Sequence, residues 1–164
     1  MSADEQTLFP FYSFDTSAVI NGRRDIFLPT TFAPVWEGIE AMISLGQVRA
    51  VDEVKRDLFK KSDEALAWAK GCKGLFVPLE TDIQVATSQI LSQHPRLLGT
   101  GGPRNGADPF VIALALARVG TVVTQETPRS ISKPRIPDVC DALGIPWLTL
   151  PQFVDAQGWT MVMG

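Results

Sequence analysis

Apolar residues along this chain recur with two alternating periods. Short runs of strand length, Phe11 to Asp15, Val48 to Val51, Leu75 to Pro78, Thr121 to Thr124 and Trp147 to Leu150, are separated by longer segments with helical spacing. Val35, Trp36, Ile39, Met42 and Ile43 form one helical stripe up to Gly46, and Val54 and Leu58 mark a second in the segment opening at Asp52. Ser62 starts a third helix carrying Leu66 and Trp68, and Thr81-Asp82 a fourth, with Ile83, Val85, Ala86, Ile90 and Leu91 on its buried side before His94-Pro95. Phe110 to Arg118 is the most apolar helix; Ile136 to Gly144 and Pro151 to Ala156 are shorter ones. Asn21-Gly22 reads as a turn, and the proline-bounded stretch after it as irregular chain bringing Arg23 and Arg24 towards the strand ends. Strands alternating with helices predict one parallel sheet covered on both faces. Residues 1–10 read as a tail and 11–160 as one domain, without internal repeats.

Composition narrows the function. A chain of 164 residues with 45% hydrophobic and 20% charged residues buries a core without staples. No apolar run approaches the roughly 18 residues that span a bilayer, and the first residues lack the basic start and apolar core of a signal peptide, so a cytoplasmic protein is expected. Cys72 and Cys140 stand far apart and His94 is the single histidine, which argues against zinc, a disulfide framework and Ser-His or Cys-His catalysis. The net charge of −3 leaves nucleic acid binding to a local basic patch. Arg96 to Gly106 is glycine-rich, but it lacks the Gly-Lys-Ser/Thr ending of a nucleotide loop and no strand leads into it.

Four acids sit where one element gives way to the next. Asp15 ends the first strand, Glu53 opens the helix after the second, Asp108 opens the apolar helix, and Glu126 follows the strand after it. Three of them have a structural alternative: Asp15 and Asp108 suit helix N-caps, and Glu53 suits a first helical turn. Crowded at one sheet edge, the four could not all ionise without a cation, and oxygen-only ligands select Mg²⁺ or Mn²⁺. Such a site suits phosphodiester cleavage.

Phe14-Asp15-Thr16-Ser17, Val51-Asp52-Glu53-Val54, Ala107-Asp108-Pro109 with the apolar run after it, and Val122-Val123-Thr124-Gln125-Glu126 resemble, in order, the motifs of the PIN domain nucleases, VapC-like toxins included. The segment from Lys133 to Pro146 extends the likeness to a poorly characterised bacterial and archaeal branch of PIN-like proteins, covering most of residues 11 to 160. The resemblance implies a three-layer α/β/α sandwich around a central, mainly parallel sheet. It implies a Mg²⁺- or Mn²⁺-dependent ribonuclease acting on RNA such as tRNA, often a toxin silenced by an antitoxin. By position, Asp15, Glu53 and Asp108 match the main metal-binding acids; Glu126 stands where the family usually has aspartate, with Asp138 as the alternative. Thr16 and Thr124 match hydroxyls that support the acids or bound water.

The run Arg129, Lys133 and Arg135 follows Glu126 directly and is expected to hold the RNA backbone, a role the metal-binding acids cannot fill. A non-catalytic PIN-like module binding a partner protein is the competing reading. A phosphoaspartyl enzyme would need a second aspartate where Ser17 stands. Trp36 and Trp159 leave room for a homodimer.

Overall fold

The computed structural model describes residues 10–98 and 106–163. Its five strands are β1 (Tyr12–Phe14), β2 (Val48–Val51), β3 (Phe76–Val77), β4 (Thr121–Val123) and β5 (Trp147–Leu148). They form one all-parallel sheet in the order β3-β2-β1-β4-β5. The helices between them are α1 (Thr16–Asn21), α2 (Ala33–Ser44), α3 (Asp52–Lys61), α4 (Asp63–Gly71), α5 (Thr81–Gln93), α6 (Asp108–Arg118), α7 (Ile136–Leu143) and α8 (Leu150–Ala156). The expected α/β/α sandwich is what the chain forms.

The layers can be read from alternation along β1, whose successive side chains point to opposite faces. Ser13 faces α6, where its hydroxyl donates to the Val111 carbonyl at 2.8 Å. Tyr12 and Phe14 face the other way, and both rings meet Phe153 of α8 edge-on, at 4.8 and 5.2 Å between centroids. Val111, Ile112, Ala113, Leu114 and Ala115 of α6 are all buried, as expected of a helix wedged between the sheet and α5. On the α8 face, Trp159 fills the space over Gly38 of α2, where an added Cβ would stand 2.7 Å from the indole.

Three expectations change in detail. Asn21-Gly22 is no turn: Gly22 has right-handed helical φ of −58°, and Gly22–Ile26 continues α1 as a single π-helical turn. Glycine is needed there for space, because a Cβ would lie 2.5 Å from Leu150 and 3.1 Å from Trp36. Trp36 offers no surface for a dimer; it is buried, donates to the Phe27 carbonyl at 2.7 Å and packs on Trp68. Trp159 is likewise engaged, edge-on to Phe153 at 6.0 Å. The glycine-rich loop before α6 and the N-terminal tail lie largely outside the described residues. No helix among those described is long and apolar enough to cross a membrane.

Candidate active site

In the strand order, β2 and β3 lie to one side of β1 while β4 and β5 lie to the other. The chain therefore reverses direction across the sheet between β1 and β4. A crevice opens at such a switch point, beyond the carboxyl ends of the strands, because successive crossovers leave it in opposite directions. Here it is a cavity of about 260 Å³ lined by Asp15, Thr16, Ser17, Asp57, Asp108 and Glu126, with Ile20, Asn21, Arg24 and Lys61 completing the wall.

Asp15 is placed by the sheet itself. Its backbone N–H extends the ladder to the Val123 carbonyl at 2.9 Å, fixing the residue beside the end of β4. Its carboxylate then collects three donors: the Thr16 N–H at 2.8 Å on Oδ1, and the hydroxyls of Ser17 at 2.6 Å and Thr124 at 2.9 Å on Oδ2. Ser17 and Thr124 tie the two strand ends together. Ser17 Oγ accepts from the Gln125 N–H at 2.9 Å, and Thr124 Oγ1 accepts from the Glu126 N–H at 3.1 Å. The N-cap expectation for Asp15 holds locally and coexists with the cavity position.

Asp108 is different. Ala107, already helical, occupies the N-cap position of α6, and no side chain caps it; Pro109 sits in the first turn as expected. Asp108 is 6% exposed, and its Oδ2 is buried with no hydrogen-bond partner among the described residues. Burial pushes its pKa up to about 10, reinforced by the negative charges of Asp15 and Glu126, by a hydrogen bond from the protonated Asp108 carboxyl to Glu126, and by the charge of Asp57. Glu126 is raised to about 7, again by burial and then by Asp15, while the Ile136 N–H donating to Oε2 at 3.0 Å and the nearby Arg135 pull it back. Burial also raises Asp15, against the pull of its three donors. Without a cation, Asp108 keeps its proton at neutral pH.

Glu53, expected as the second acid, does not line the cavity; Asp57 does. Both lie on α3 one turn apart, on nearly the same face, and the packing of α1 against α3 brings the later residue in. Thr16 Oγ1 donates to Asp57 Oδ2 at 3.2 Å, whereas Glu53 Oε1 pairs with Arg56 at 3.2 Å and Glu53 Oε2, like Asp108 Oδ2, is buried with no hydrogen-bond partner among the described residues. Asp138 also stays out, because its carboxylate accepts the backbone N–H groups of Arg129 and Arg135 at the start of α7. Glu126 is therefore the fourth acid of the cavity. Thr16 and Thr124 both line or border the cavity acids, Thr16 donating to Asp57 and Thr124 to Asp15. Arg129 and Lys133 are exposed outside the lining, and Arg135 reaches the site only through its field on Glu126.

Of the two arginines expected near the strand ends, Arg24 reaches the cavity. Arg23 is buried instead, 4.7 and 5.0 Å from the Trp36 and Trp68 ring centroids, and paired with Glu64. Ser17, Asp57, Arg24 and Lys61 are the site residues that a sequence reading underused. A signal existed for two of them, since Glu53, Asp57 and Lys61 form an i, i+4, i+8 stripe of charge on one helix.

All the acids of the cavity lie within the stretch that one family model matches. That model, a domain of unknown function termed DUF4411, matches residues 12–161. The chain belongs to this family. No curated protein matches the DUF4411 chain in sequence. Among solved structures it is similar to a chain of VapBC2 from Rickettsia felis, a complex bound to a DNA fragment from its promoter. The TM-score is 0.54 at 10% identity, covering 85% of the DUF4411 chain and 98% of the other. At that identity the likeness concerns the PIN-like fold. Among the described residues of the DUF4411 chain, no three acidic, histidine or cysteine side chains are arranged to hold one ion together. The acids share a cavity without converging on a point.

Proposed function

We propose that this DUF4411 protein is a divalent-metal-dependent ribonuclease, with Asp15, Asp57, Asp108 and Glu126 as the residues that hold Mg²⁺ or Mn²⁺. The observation that carries the reading is the Asp108 carboxyl group, buried beside three other acids with an unpartnered oxygen. Leaving such a group unsatisfied costs about 1–3 kcal/mol, so it is poorly explained by stability alone. A divalent ion would supply its missing partner. The donor types fit, because the cavity offers carboxylates and hydroxyls and neither thiol nor imidazole, and the acids would have to draw together to share the ion. Four carboxylates against Arg24 and Lys61 leave a formal charge of −2, which one divalent ion balances.

Bound metal would lower the pKa of a water and neutralise charge on the phosphate during hydrolysis. The chain's own residues prepare for this. Ser17 and Thr124 keep Asp15 an oriented acceptor, and Thr16 does the same for Asp57. Asp108 and Glu126 exchange protons for the ion, which ties affinity to pH.

Fold likeness to a chain of VapBC2 supports a toxin role with a protein antitoxin. The non-catalytic module remains the weaker reading, since a scaffold relieved of chemistry has no use for an unpaired buried carboxyl. The test is cleavage of total RNA and purified tRNA with Mg²⁺ or Mn²⁺. Wild type should cut, Asp108→Asn and Asp57→Asn should not, and Glu53→Gln should retain activity. Equal cleavage by wild type and Asp108→Asn would reject the proposal.

A further inference from the structure

The cavity is graded in charge with depth. Asp15 and Asp108 form its floor, at 2% and 6% exposure, while Arg24 and Lys61 stand exposed at its rim. Both cations come from helices that also place an acid of the site, α3 with Asp57 and α1 with Asp15 at its N-cap. Lys61 lies one turn beyond Asp57 on α3, and Arg24 lies in the π-helical turn that prolongs α1 away from Asp15. Lys61 has no ion-pair or hydrogen-bond partner among the described residues. Arg24 is pinned only by its exposed neighbour Asp25, Nε at 3.0 Å from both carboxylate oxygens.

We infer that Arg24 and Lys61 are the groups that grip the scissile strand's phosphates, so that RNA enters over the α1–α3 side of the cavity and not over the Arg129–Lys133 loop. This rests on the ribonuclease reading and deepens it. A polyanion approaching an acidic floor needs cations at the entrance, where they meet the phosphate before the acids do. Guanidinium and ammonium suit that role differently, Arg24 as a planar fork for two phosphate oxygens and Lys61 as a point charge. Phosphate must displace Asp25 from Arg24, and because that pair is solvated at the surface the exchange costs little. Arg129 and Lys133 are exposed but stand outside the cavity lining, so they do not meet a phosphate placed over the acids.

The test compares wild type, Arg24→Gln/Lys61→Gln and Arg129→Gln/Lys133→Gln on a fluorophore–quencher single-stranded oligoribonucleotide with Mn²⁺. KM and kcat are followed from about 50 to about 200 mM KCl. The rim variant should raise KM about tenfold with kcat held within about twofold, since the lost contacts bind the substrate and not the reacting water. Its dependence of log affinity on log salt should fall by about 1.4, two single-strand phosphate contacts. The loop variant should stay close to wild type. All four side chains are solvent-facing, and unchanged melting temperatures will establish that both variants are folded. A rim variant with wild-type KM and salt slope, or a loop variant that takes the loss, overturns the inference while leaving the ribonuclease reading standing. Wild type that binds Mn²⁺ but neither binds nor cuts the RNA overturns both.

Discussion

The end of β1 and the start of α6 meet on one cavity floor and treat their carboxylates in opposite ways. Asp15 receives three donors; Asp108, almost as deeply buried, keeps an oxygen with none. Burial disfavours charge at both places, so the difference lies in what compensates it. Asp15 is built into the fold, joining two strand ends through Ser17 and Thr124. Asp108 has only Glu126 to share a proton with, and its Oδ2 accepts nothing. One end of the site is thus paid for within the protein, and the other awaits something that the chain does not supply.

The sharpest way to break this contrast is to neutralise each acid in turn. Asp108→Asn and Asp15→Asn should both lose at least about a hundredfold in RNA cleavage, as first ligands of a catalytic ion would. Their metal-free stabilities should diverge. Asp108→Asn removes an unpaired acid and should melt about 2–4 °C higher for each kcal/mol relieved, whereas Asp15→Asn should melt lower because its amide nitrogen faces hydroxyl donors. Thermal scans in chelator measure both, and two changes of the same sign would show that the acids are equivalent.

The same contrast was only partly legible in the residues. Asp15, Asp108 and Glu126 stand at element junctions, and alternating strands and helices are enough to bring such junctions to one sheet edge. The motif points to Glu53 and not to Asp57, and residues four apart share a helical face and differ only in height along the axis. That height is fixed by the contact of Thr16 with Asp57 between two helices distant in the chain. Asp108 was also readable as a cap, and only the helical backbone of Ala107 removes that role. The basic loop after Glu126 drew attention through proximity in sequence, while Lys61 and Arg24 reach the cavity through helix geometry that no local pattern displays.

Adding metal sharpens the comparison further. At about a hundred times its dissociation constant, Mn²⁺ should raise the wild-type melting temperature by about 5–10 °C. Asp57→Asn should abolish most of this shift and Glu53→Gln should leave it, as read by differential scanning fluorimetry. The reverse order would restore Glu53 to the site.

Acidity offers a smaller effect with a definite sign. Asp108 and Glu126 have folded pKa values of about 10 and about 7, above their ordinary values of 3.8 and 4.5. Both are protonated in either state at low pH, and the unfolded chain releases its protons first as pH rises. The contribution of these two groups to metal-free stability is therefore fully present below the ordinary carboxylate range. It falls through neutrality, with Glu126 contributing up to about pH 7 and Asp108 continuing towards about pH 10. Denaturant midpoints at a series of pH values should show this decline in wild type and a shallower one in Asp108→Asn. The smallest change is expected from Thr124→Val, which deprives Asp15 and the Glu126 N–H of a partner and should cost about 2 kcal/mol, or about 4–8 °C.

Isothermal titration of the metal-free protein with Mn²⁺ near neutral pH, repeated in buffers of different ionisation enthalpy, addresses the acidic cavity most directly. Wild type should bind Mn²⁺ with release of protons from Asp108 and Glu126, and Asp108→Asn should bind far more weakly and release fewer. Mn²⁺ that binds both proteins equally, or binds neither, would contradict a cavity built to hold a divalent ion.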